Sequence, residues 1–196
     1  MPVTPFHFGP GLIFKAVLGR RMSFGAFALA NCVIDVESAA NLLLGRYPVH
    51  DHLHTFAGSL PVAVAVAVVA PRPLSRLNHW VRTRGVDALA QQYLGQNRAS
   101  SVARLARHIS LDPALQPVTW AAGTAGAFLG AVSHVLLDAV IHADMDPLAP
   151  WREENPFLLS GSFVWMHVAC AAAGVAALWA WPVLANWSAE DHGRPG

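Results

Sequence analysis

Cysteine is scarce in this chain. Two residues, Cys32 and Cys170, lie far apart in apolar stretches with no Cys-x-x-Cys, which excludes a disulfide scaffold and a thiolate zinc site. Both are expected as small core residues. Charge is scarce too: 13% of 196 residues are charged against 54% hydrophobic, and the mean hydropathy is +0.39. That balance excludes an ordinary soluble domain and a disordered chain, and leaves a small polytopic membrane protein in one domain. A net charge of +1 averages apolar spans over loops of differing sign, so it indicates no partner. No basic region precedes the first apolar run and no cleavage site follows, so the start reads as mature chain rather than as a signal peptide. No internal repeat or low-complexity tract occurs.

What is present is apolar length. Four stretches, at about 24–44, 55–70, 118–142 and 162–184, approach the roughly 20 residues that cross a hydrocarbon core. The first carries Asp35 and Glu37 near its middle and the second is short, ending at Pro71, so their polar groups must face inward. Residues 6–18 are apolar but too few to span, and a re-entrant or half-buried helix carrying His7 to mid-depth is expected. The fold class is therefore all-α, with about four transmembrane helices plus that half-helix and amphipathic interfacial pieces. An Arg-rich insertion at about 72–117 holds Arg72, Arg76, Arg82, Arg84, Arg98, Arg104 and Arg107 against Asp87 and Asp112, which places it in the cytoplasm, in agreement with Lys15, Arg20 and Arg21. Within it, Leu74, Leu77, Trp80 and Val81, and then Val102, Leu105, Ala106 and Ile109, fall at helical spacing with arginines on the other sides. These helices suit anionic lipid headgroups; nucleic acid is not an expected partner.

The chemistry-bearing residues gather at the opposite, outer ends of the spans. His134, Asp138 and His142 are spaced by four and share one helix face. In Tyr47-Pro-Val-His50-Asp-His52-Leu-His54, a helix beginning after Pro48 would put His50 and His54 on one face. His7 and Asp35 add ligands from two more segments. Imidazole and carboxylate together suit zinc, with manganese a weaker choice, and seven candidates could hold one or two ions. Glu37, two residues from Asp35, points elsewhere on its helix and suits an orienter or catalytic general base better than a ligand. Asp144 and Asp146 either complete a second site or form a solvated turn. His167 is expected to bond a neighbouring helix, and His79, His108 and His192 to be solvated.

The segments Thr4-Pro-Phe-His7-Phe-Gly-Pro-Gly11, Ala28-Leu-Ala-Asn31 to Asp35-Val-Glu37, His50 to Thr55, and Ser133-His134 to Asp138 resemble the membrane-bound metal-dependent hydrolase family of bacteria. The resemblance covers most of the chain apart from the Arg-rich insertion and the last span. It implies an inner-membrane hydrolase whose ligands are His7, Asp35, His50 with His54, and His134 with Asp138. Asp51 stands where that family often carries arginine.

A divalent ion on such ligands, with one position open, acidifies bound water toward neutrality and polarises the bond attacked. The expected reaction is attack of metal-bound hydroxide on an ester or phosphodiester of a lipid or lipid-linked substrate at the outer face of the inner membrane. Three alternatives stand beside it: a metal-ion carrier, a non-enzymatic membrane scaffold, and a haem-binding cytochrome with His54 and His134 as axial ligands. Nothing in the sequence sets the oligomeric state.

Overall fold

In this computed structural model the described residues are 5–80 and 117–190, with side chains described up to residue 180. Hydroxyl side chains mark the starts of three helices: Ser23 accepts from the Ala26 amide, Thr55 from Gly58 and Thr119 from Ala122. The elements are a 3-10 turn at Pro5–His7, α1 (Phe8–Leu18), α2 (Phe24–Leu43), a second such turn at His52–His54, α3 (Phe56–Val69), α4 (Pro71–Trp80), α5 (Trp120–Ile141) and α6 (Phe163–Glu190). The described residues are thus helical with no strand.

Three helices, α2, α5 and α6 over Phe163–Ala180, are long and apolar enough to cross a membrane. A fourth crossing needs α3 and α4 together, and they meet at a bend of 56°. Alone, α3 has 14 residues, about 21 Å at 1.5 Å per residue, short of a hydrocarbon core of about 30 Å. Pro71, at the first position of α4, suits a helix start because its missing N–H would have been unpaired there.

The helices α2 and α5 pack by a ladder of four-residue steps. A Cβ on Gly126 would lie 2.2 Å from the Ser23 carbonyl oxygen and one on Gly130 would lie 2.6 Å from that of Phe27, so only glycine permits the approach. One turn further, His134 bonds Asn31, and one turn beyond that Asp138 meets the group around Asp35. Partners advance together along both chains, so the two helices run parallel. The third inner helix, α3, runs antiparallel to α5: Phe56 donates to the Pro147 carbonyl beyond the end of α5, while Pro71 abuts Gly123 near its start. Ala26, Ala30, Ile34, Val62, Ala63, Val66, Ala67, Ala127 and Ala131 fill the space among the three.

The α1 helix lies against α6, with Gly9 on the Cys170 carbonyl. Only 17% of the α6 window is buried, and Val164, Trp165, Val168, Val175, Leu178 and Trp179 face outward. An apolar face of that extent fits a lipid surround better than water.

Lys15, counted with the charges before the first span, is buried and its ammonium donates to the carbonyls of Gly19 and Met22, both at 2.7 Å, closing the end of α1. Two expectations are corrected. Cys32 faces outward from α2, whereas Cys170 is buried, and both thiols are free. No helix begins after Pro48, because Thr55 caps α3 and leaves only a single 3-10 turn before it. The first amphipathic helix is α4, with Leu74 on the core and Arg72 and Arg76 exposed. The second, over Val102 to Ile109, lies outside the described residues, as do His108 and His192.

Candidate metal centre

Four buried side chains from three segments converge at one end of the inner helices. Asp35 comes from α2, His54 from the turn before α3, and His134 and Asp138 from α5; one ligand atom of each lies within 4.8 Å of the other three. The Nε2 atoms of His54 and His134 face one another at 3.4 Å. Asp138 Oδ2 is 3.2 Å from His134 Nε2 and 3.8 Å from His54 Nε2, and Asp35 Oδ1 is 3.5 and 4.0 Å from the same atoms. Ligands about 2.0–2.2 Å from a tetrahedral ion stand roughly 3.3–3.6 Å from each other, so the four atoms nearly describe its coordination shell.

The hydrogen bonds behind the imidazoles decide which nitrogen is free. Asn31 Nδ2 donates to the Phe27 carbonyl at 2.8 Å, which turns its Oδ1 toward His134 and makes that oxygen the acceptor for His134 Nδ1–H at 3.0 Å. Behind His54, Glu37 Oε2 takes the backbone N–H of Leu53 at 2.8 Å and faces His54 Nδ1 at 3.3 Å. With both Nδ1 atoms placed as donors, neutral His54 and His134 turn their Nε2 lone pairs toward each other in a buried space, beside the carboxylates of Asp35 and Asp138. A cation between them satisfies both lone pairs, and imidazoles backed by an amide or carboxylate are the usual surroundings of metal-bound histidine.

His7 reaches the group through Asp138. Its Nε2 lies 3.0 Å from Asp138 Oδ1, its ring packs edge-on to His134, and its Nδ1 is buried without a partner among the described residues. The start of the chain therefore does carry an imidazole inward, as a neighbour of the quartet. Glu37 contacts the outer nitrogen of His54, on the side of the ring away from the quartet, which is the position of an orienter.

His50 and His142 stand beside the quartet in a second group with Asp144. The Val49 and His50 amides donate to Asp144 Oδ2 at 3.0 and 3.2 Å, and His50 Nδ1 lies 3.1 Å from both carboxylate oxygens. His50 and His54 thus do not share a helix face, and their rings meet edge-on across a loop. His142, the residue capping α5, packs on His50 with ring centres 4.0 Å apart, and its Nε2 is 3.9 Å from Asp138 Oδ1. Burial and the adjacent His50 hold the His142 imidazole down at about 4, and burial also lowers His50. Burial opposes the charge on Asp144, yet His50 and the two amides outweigh it and keep the carboxyl below its usual range.

A cavity of about 480 Å³, lined by Leu42, Tyr47, Val49, His50, His142, Ala143 and Asp144, opens onto this second group. Asp146 is exposed and joins neither group. His167 donates from Nδ1 to its own helix, to Phe163 O at 2.6 Å, and stays outside the centre. His79 is exposed on α4 rather than in a loop.

Two supporting contacts escaped the sequence reading. Asn31 carried the available signal, since it lies four residues before Asp35 and so on the same face of α2. The docking of Asp144 onto the Val49 and His50 amides joins residues over ninety positions apart and had no local signal. Comparison with protein-family models, curated proteins and solved structures finds no match.

Proposed function

We propose that this chain is a membrane-embedded metal-dependent hydrolase, with zinc held by Asp35, His54, His134 and Asp138 and a lipid or lipid-linked ester or phosphodiester as substrate. The observation that carries the reading is the pair of opposed Nε2 atoms, 3.4 Å apart, each backed by a bonded Nδ1. Bound there, a divalent ion supplies acidified water and Lewis-acid polarisation of the bond to be cut. The residues do the rest. Asn31 and Glu37 fix the ligand rings, His7 holds Asp138, and the cavity at His50 and His142 admits the headgroup beside the centre. The resemblance to the bacterial membrane-bound hydrolases supports an inner-membrane location, and the arginines between Pro71 and Pro117 support an outward-facing site. Haem ligation is disfavoured, because the carboxylate oxygens of Asp35 and Asp138 lie where a porphyrin between His54 and His134 would have to pass.

The test is turnover in detergent or proteoliposomes over phospholipid, lipid-linked and simple phosphodiester substrates. Activity is expected to vanish with chelator, return with added zinc, and rise with pH through neutrality. A screen in which the wild type exceeds His134→Ala on no substrate would favour a carrier or scaffold instead.

Glu37→Gln separates an orienter from a base. As an orienter of His54 it should lower metal affinity by about 10- to 100-fold, with turnover restored at saturating metal. Competition against a chromophoric chelator reads the affinity. Unchanged affinity with lost turnover would assign Glu37 to proton transfer.

A further inference from the structure

We propose that the floor of the cavity holds a second divalent cation, bound by His50, His142 and Asp144 and bridged to the first through the carboxylate of Asp138. The inference rests on the metal-centre reading above and deepens it.

The two oxygens of Asp138 face different groups. Oδ2 lies toward His134 and His54, whereas Oδ1 lies 3.0 Å from His7 Nε2 and 3.9 Å from His142 Nε2. A carboxylate oxygen has two acceptor sites, so a hydrogen bond from His7 leaves Oδ1 a lone pair to give. His50, His142 and Asp144 each offer an atom within 4.8 Å of the other two. The 3.1 Å separation of His50 from Asp144 and the 3.9 Å separation of His142 from Asp138 lie on either side of the roughly 3.3–3.6 Å edges that ligands about 2.0–2.2 Å from one tetrahedral ion produce. These contacts place a second ligand set against the first, sharing one residue.

Charge leads to the same place. Asp35, Glu37, Asp138 and Asp144 form a local group of four carboxylates whose short ion pairs are with imidazoles: His54 and His134 for Asp35, His54 for Glu37, His7, His54, His134 and His142 for Asp138, and His50 for Asp144. A neutral imidazole supplies no charge, and the buried Asp35 and Asp138 need cationic compensation, which one divalent ion would supply. Glu37 and Asp144 are partly buried, and a second ion would balance them.

The cavity completes the argument. Among the described residues its lining holds Asp144 and no arginine or lysine, so an anionic phosphodiester entering it would meet a carboxylate with no opposing charge. A cation on His50, His142 and Asp144 would reverse the sign of that floor. Paired ions a few Å apart are the arrangement that stabilises both oxygens of a phosphodiester displacement, so the second ion selects a phosphodiester over a neutral carboxylic ester.

Elemental analysis of full-length protein, equilibrated with zinc in detergent and desalted, is expected to give two zinc per chain in the wild type. His142→Ala and Asp144→Asn should each give one, with helical content by circular dichroism unchanged. Manganese-loaded wild type should show an exchange-coupled pair by electron paramagnetic resonance, and Asp144→Asn the six-line signal of an isolated ion; this second readout holds if His142→Ala misfolds. One zinc per chain in the wild type, an uncoupled manganese spectrum, or two zinc retained in both variants would overturn the second ion and leave the first in place. No bound metal in the wild type would overturn the metal-centre reading itself.

Discussion

His134→Ala is expected to insert and fold as a helical protein that has lost its tightly held metal. The substitution removes one of four converging ligand atoms and leaves Asp35 and Asp138 facing each other across the gap, with His54 Nε2 as the only remaining quartet imidazole. Removing an outer-shell partner of a bound metal typically costs about 10- to 100-fold in affinity; removing a ligand should cost more, enough for the metal to be lost on dialysis against chelator. Asp138→Ala should behave alike and should also release His7, whose Nε2 lies 3.0 Å from that carboxylate. His167→Ala should retain the wild-type complement, because that ring is bonded within its own helix. Elemental analysis beside circular dichroism decides the matter. Equal metal content in wild type, His134→Ala and Asp138→Ala would remove the centre.

The second large effect is expected far from any ligand. Gly130→Val places carbon 2.6 Å from the Phe27 carbonyl oxygen and 3.1 Å from Asn31 Nδ2, contacts that backbone cannot relieve without separating α2 from α5. Overpacking of this sort costs about 1–3 kcal/mol or more. Here it should also widen the distance between His134 and Asn31, so thermal stability in detergent and metal retention should fall together. Val132→Leu, on the outward face of the same helix where Val132 is 47% exposed, should change neither. A Gly130→Val protein with wild-type melting and wild-type metal content would show that the close approach is not what holds the site.

The parts of this architecture that are written locally were legible. Helical periodicity places His134 and Asp138 on one face without reference to anything else, and hydropathy marks α2, α5 and α6 because each must satisfy its own backbone in an apolar surround. The half-helix bearing His7 was legible from the shortness of its apolar run, and the structure brings that imidazole to Asp138. His54 was expected in the site for a reason that does not hold. Its place depends on the hydroxyl of Thr55 starting α3 late, on Glu37 gripping the turn through the Leu53 amide, and on the antiparallel packing of α3 against α5. Each is a choice between local alternatives that only tertiary contact settles.

The ladder between α2 and α5 also restricts where these spans can change length. One residue inserted between Gly130 and His134 turns everything after it by about 100°, so the glycine contact would survive while His134 swung away from Asn31. The same holds between Phe27 and Asn31 on the other helix. Adapting the protein to a thicker bilayer would therefore require growth outside the stretches from Ser23 to Asp35 and from Gly126 to Asp138, at the ends of the helices, while the thirteen residues of each stretch, from the first glycine contact to the last ligand, keep a fixed count.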